Sequence, residues 1–119
     1  MAKPRRPRLL ADVVDHILSA IEQIESFTAG MDLTVFESDK RTLRAVERCL
    51  EIISEASRDI PDAVKAEHSQ INWRAMADAG NLYRHGYEHV QVPTLWETLR
   101  NNIQPLKRAI LDIKKDHVK

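Results

Sequence analysis

Cysteine is almost missing from this chain, and glycine and aromatic residues are scarce: one Cys, three Gly, and two each of Trp, Tyr and Phe in 119 residues. The lone Cys49 can form neither an intramolecular disulfide nor a multi-cysteine metal site, which excludes disulfide scaffolds and zinc ribbons and fits a reducing compartment. Net charge is missing too. Eighteen basic residues balance eighteen acidic ones, so no overall field draws nucleic acid or anionic lipid, and an anionic partner must be met by local charge. Nowhere do about eighteen apolar residues run together, as a membrane span requires. The basic, proline-bearing stretch Met1 to Arg8 resembles the start of an export signal, but Asp12, Asp15 and His16 interrupt the apolar run that follows. The expectation is a cytoplasmic protein with no membrane partner. No low-complexity stretch or internal repeat is found.

What is present is enough for one core. With 43% hydrophobic residues, a chain of this length makes a single domain without covalent staples. We expect residues 1–8 to be a flexible basic tail and 9–117 one helical domain. From Leu10, the apolar positions Val13, Val14, Ile17, Ile21 and Ile24 recur at three- and four-residue steps as far as Ala29-Gly30, where glycine suits a helix C-cap. After an expected loop at Met31 to Ser38, the series Leu43, Val46, Leu50, Ile53, Ser57 and Ile60 predicts a second helix reaching Pro61. Asp62 to His68 can form a short helical turn. Asn72 can cap a third helix from Trp73 through Leu82, weakened by Gly80 and Gly86. Pro93 and Thr94 introduce a last helix with Leu95, Leu99, Ile103, Leu106, Ile110 and Ile113 on one face and a possible bend at Pro105. No segment alternates as a half-buried strand does. The fold class expected is all-α, a small antiparallel up-down bundle of four main helices.

Chemistry points to the third helix, which carries more small and polar side chains than a core helix needs. In Gly80-Asn81-Leu82-Tyr83-Arg84-His85-Gly86-Tyr87-Glu88-His89, Asn81 and His85 stand four apart and share a helix face, with Arg84 adjacent. An imidazole exchanges protons near neutral pH, and a guanidinium binds phosphate oxygens through paired planar donors. Together they suit a phosphodiester: the histidine takes a proton from a ribose 2′-hydroxyl or returns one to the leaving oxygen, while fixed positive charge stabilises the phosphoryl transition state. On composition and spacing alone, the same residues also read as ordinary polar bundle surface, bonded to one another or to solvent. His85 and His89 have the spacing of two metal ligands, but two are too few for a site.

Other conspicuous residues have structural readings. Trp73 and Trp96 are expected to pack at helix junctions, and Cys49 to be a buried small hydrophobe. Glu55 is either an exposed carboxylate or a group orienting Arg84 or Asn81. His16, His68 and His117 are expected at the surface.

On this ordered set the chain resembles the HepT-like members of the HEPN superfamily, whose motif is arginine, four residues, histidine, any residue, tyrosine. His85-Gly86-Tyr87 matches the second half of that motif, and Asn81 matches the asparagine that commonly follows the arginine. Leu9 to Phe27, Ala45 to Ala56 (AVERCLEIISEA), Ile71 to Ala75 (INWRA) and Trp96 match the surrounding helices. The resemblance implies a metal-independent endoribonuclease toxin, with no cofactor, acting on RNA as a homodimer. It also implies a partner, an MntA-like nucleotidyltransferase antitoxin that places AMP on the motif tyrosine, here Tyr87. In that reading His85, Arg84 and Asn81 are the catalytic set. The motif arginine falls at Gly80, which has no side chain to supply charge. Two expectations follow: Arg84, one turn on, substitutes for it, or the site is attenuated and the chain is a binding or regulatory partner of the nucleotidyltransferase. In the second case Gly80→Arg should raise activity.

Overall fold

The structure is a computed structural model and describes residues 8–85 and 91–118, with the backbone course alone for 81–85. Among these residues there are six helices and no strand: α1 (Leu10–Thr28), α2 (Leu33–Ser38), α3 (Lys40–Ser57), α4 (Asp62–Ala66), α5 (Trp73–His85) and α6 (Val92–His117). Four are long and two are short, so the all-α bundle expected from periodicity is the fold.

Local chemistry sets several of the helix ends. α1 buries Val13, Val14, Ile17, Ala20, Ile21 and Ile24 on one stripe, and the chain turns away at Gly30, whose φ of 75° suits a residue without a Cβ. Asp32 caps α2 by accepting from the Val35 N–H at 2.9 Å. Asp39 caps α3, accepting from the Thr42 N–H at 3.1 Å and from its hydroxyl at 2.9 Å. The Thr42 backbone bond, then its hydroxyl, holds the Asp39 carboxyl below its ordinary range. Asn72 accepts from the Ala75 N–H at 3.0 Å and starts α5, as its position in the sequence suggests. Pro93 sits in the first turn of α6, where its missing N–H has no cost, and the helix continues through Pro105.

Two boundaries differ from the periodicity. The stretch Met31 to Ser38 is not a plain loop but contains α2. Six residues are too few to show a 3.6-residue rhythm, and the helix is held by its Asp32 cap and by Phe36, which is fully buried against Trp96 with ring centroids 4.8 Å apart. α3 stops at Ser57 rather than running to Pro61. The chain tightens there into three-residue turns, with the N–H groups of Arg58, Asp59 and Ile60 bonded to the carbonyls of Glu55, Ala56 and Ser57. Ile60 is still buried, which is why it keeps the apolar rhythm.

α3 is the central helix, packed against both α1 and α5, while α6 closes the other side of α1 and α2 touches α3 and α6. α3 runs antiparallel to α1. Arg8, just ahead of α1, meets Glu55 and Asp59 at the end of α3, and Gln23, late in α1, accepts from the Cys49 thiol at 3.8 Å. Cys49 is buried, as expected, and burial raises its thiol pKa above the ordinary value. The apolar core lies among α1, α3 and α6. α5 lies outside it, resting on α3.

Trp73 explains how α5 is anchored. Its indole N–H donates to the carbonyls of Lys65 and His68, both at 3.1 Å, tying the start of α5 to α4 and the turn after it. His68 is therefore drawn inward and is buried, not exposed as its sequence context suggests. His16 is exposed. His117 is exposed too, but lies 2.6 Å from the Glu67 carboxylate.

Candidate active site on the α3 and α5 pair

α5 carries the motif, and its position is decided by one close contact with α3. The Ser54 hydroxyl donates to the Ala77 carbonyl at 2.9 Å and accepts from the Gly80 N–H at 3.0 Å. Ser54 is fully buried there. A Cβ added at Gly80 would lie 2.5 Å from the Ser54 Oγ and 2.9 Å from its Cβ, closer than non-bonded atoms approach. Gly80 is thus a packing requirement: only a residue without a side chain lets α3 come this near. An arginine introduced at Gly80 would enter only if Ser54 or α3 shifted, so Gly80→Arg changes the packing of α5 as well as its charge.

The helical register then places the rest of the motif. Gly80 faces α3, and each residue turns the helix by about 100°. Position 84 returns close to the α3 side. Positions 81 and 85 fall on an adjoining face, four apart, in one row with Ala77. Of the four expected site residues, α5 therefore carries Asn81, Arg84 and His85 on its last two turns. Their side-chain contacts, and Tyr87 and His89 altogether, lie outside the described residues.

Glu47 and Ser54 stand seven apart on one stripe of α3, and Arg58, the residue that caps the helix, follows four positions on. Arg58 donates from Nη2 to the Ala77 carbonyl at 2.7 Å, sharing that acceptor with Ser54. Its guanidinium is exposed and, among the described residues, forms no ion pair. Glu47 is buried; one carboxylate oxygen takes a 2.7 Å bond from Arg44, and the other has no partner among the described residues. Antiparallel pairing through Ser54 and Gly80 puts Glu47 level with the end of α5. Glu55 accepts from Arg8 at 3.3 Å. Between α5 and α6 a groove of about 480 Å³ is lined by Leu50, Ile53, Met76, Ala79, Ile103 and Leu106.

Residues 17–113 match the family profile described as Ribonuclease HepT-like. The chain belongs to that HepT-like family. It is 41% identical over 104 residues to a Thermococcus cleftensis protein named "Probable ribonuclease HepT", covering 87% of this chain and 94% of that one. A Methanocaldococcus jannaschii protein and a Caldanaerobacter subterraneus protein, each named "Putative RNase", are 35% and 30% identical over 100 residues. Both comparisons cover 84% of this chain, with 86% and 89% of those relatives. No solved structure matches significantly.

Sequence reasoning passes over Ser54, Arg58 and Glu47 as site neighbours. Their spacing is visible in the chain, but nothing local says which side of α3 receives α5. Among the described residues no group of three or more His, Cys, Asp or Glu could hold a metal ion, and no helix is long and apolar enough to cross a membrane.

Proposed function

We propose that this protein is an endoribonuclease, the toxin of a HepT/MntA-type toxin–antitoxin pair, cleaving RNA without a metal at a composite site in a homodimer. The observation that carries the reading is membership of the HepT-like family over residues 17–113, with a relative named as a ribonuclease at 41% identity. The placement of Asn81, Arg84 and His85 on the last two turns of one helix supports it. In this mechanism His85 takes the proton of a ribose 2′-hydroxyl as that oxygen bonds to phosphorus. The bond from phosphorus to the departing 5′-oxygen breaks, and the imidazolium of the second copy returns a proton to it. Arg84 binds the phosphoryl oxygens as charge builds on them, and Asn81 positions the strand.

Tyr87 is the proposed modification site, where AMP from a partner nucleotidyltransferase would add negative charge and bulk beside the motif and exclude the RNA backbone. A cytoplasmic setting goes with such a pair. The alternative, an attenuated dimer acting only as a binding partner, draws on Gly80 as a sign of decay; the close approach of Ser54 gives that glycine another reason. Incubation of the purified protein with RNA tests the reading. His85→Ala should lose about 100-fold or more of the cleavage rate, and Arg84→Ala should abolish cleavage with dimerisation intact. Equal cleavage by wild type and His85→Ala rejects the ribonuclease. An AMP-sized mass increment on Tyr87, absent from Tyr87→Phe, tests the antitoxin step.

A further inference from the structure

Arg58, at the C-cap of α3, is a cation that the ribonuclease reading leaves without a task. An exposed arginine side chain ordinarily keeps its freedom or pairs with a carboxylate. The arginines within α3 for which contacts are seen, Arg44 and Arg48, follow the second pattern, each paired with the acid three residues on. Arg58 does neither. One of its five N–H donors is spent at 2.7 Å on the Ala77 carbonyl of the neighbouring helix, which anchors an exposed planar group whose charge is uncompensated among the described residues. Ala77 begins the row that continues, one turn at a time, through positions 81 and 85. Ala77, whose carbonyl anchors the guanidinium, stands about 12 Å before position 85 along the axis and about 80° from it around the helix. That is too far to share the scissile phosphate and close enough to meet another phosphate of a strand that runs along α5.

We infer that Arg58 binds a backbone phosphate of the RNA strand next to the one that is cut, so that the end of α3 holds the strand while α5 cleaves it. The inference rests on the ribonuclease reading and adds a strand-holding contact outside the motif helix. Because the Ser54 and Gly80 contact fixes the spacing of the two helices, the distance between the holding group and the cleaving group is set by the fold.

The test is binding of a labelled single-stranded RNA to the His85→Ala protein across a salt series. Arg58→Gln is the informative variant, since it removes the charge, while Arg58→Lys keeps the charge without the planar group. Affinity should fall about tenfold at low salt, the worth of one charge-assisted hydrogen bond. The slope of log K against log salt should shrink by about 0.7, one phosphate contact on a single strand. Arg58→Lys should keep the slope. In cleavage by otherwise wild-type protein, Arg58→Gln should raise KM with little change in kcat, the opposite of Arg84→Ala. Unchanged affinity and slope in Arg58→Gln would overturn the inference, as would weakened binding with an undiminished slope, which would mark a packing role. If the wild-type protein neither cuts nor binds RNA, the ribonuclease reading falls and this one with it. Wild-type cleavage with an indifferent Arg58→Gln removes the strand-holding role alone.

Discussion

Gly80→Ala adds one methyl group at the tightest point of the α3 and α5 contact. Its carbon would sit 2.9 Å from the Ser54 Cβ, which no side-chain rotation can move, and 2.5 Å from the Oγ. Carbon atoms pack at about 3.5–4.0 Å, so the helices must part by about 0.6 Å or more. Overpacking of this kind costs about 1–3 kcal/mol. Separation also weakens the two bonds of the Ser54 hydroxyl, each worth about 1 kcal/mol. Alanine regains about 1 kcal/mol of helix propensity. The net loss should be about 2 kcal/mol, read in urea unfolding, or about 8 °C in Tm for a domain of this size. The decisive measurement is the cycle with Ser54→Gly. If the two side chains compete for one space, the double variant Ser54→Gly/Gly80→Ala should be no less stable than Ser54→Gly alone, a coupling of about 2 kcal/mol. Additivity within about 0.5 kcal/mol would refute the steric account. The same logic makes Gly80→Arg by itself a packing defect with no gain in cleavage, while Ser54→Gly/Gly80→Arg is the variant that gives an arginine at this position somewhere to go.

Two further outcomes follow from titrating groups away from the motif. Burial raises the Cys49 thiol, so at pH 8 the native protein should react with a disulfide reagent far more slowly than the urea-unfolded chain; equal rates would contradict the buried placement. Glu25 is held below its ordinary range chiefly by the hydrogen bond from Lys107 at 2.9 Å, against opposing desolvation and with help from Gln104. Its lowered folded pKa means the stabilisation is complete above the unfolded value near 4.5 and is lost as pH falls through the folded value. Lys107→Met should therefore cost about 0.5 kcal/mol at pH 7 and nothing at pH 2, and an equal cost at both would exclude the ion pair as the cause.

Most of the helices are legible in the linear chain. α1, α3, α5 and α6 announce themselves by apolar residues three and four apart, because a helix face repeats within the chain itself and its caps, Asn72 and Pro93 among them, are sequence neighbours of what they cap. The motif is legible for the same reason: Asn81, Arg84 and His85 lie within five residues and one helix carries them all. α2 is not, since its six residues depend on Phe36 finding Trp96 sixty positions away in the chain. His68 escapes sequence reasoning because its burial comes from the Trp73 indole bonding backbone carbonyls, an interaction with no signature in side-chain type.

Position 80 marks the division most sharply. Compared with a motif, a glycine there reads as an arginine removed; placed against α3, it is the residue that allows Ser54 to reach the α5 backbone. Arg58 likewise looks like any surface cation until α5 is seen to supply the carbonyl that fixes it. Patterns along one helix are local and survive in the linear chain. The distance between two helices is set by the bulk of side chains 26 positions apart, and only packing in three dimensions brings those into contact.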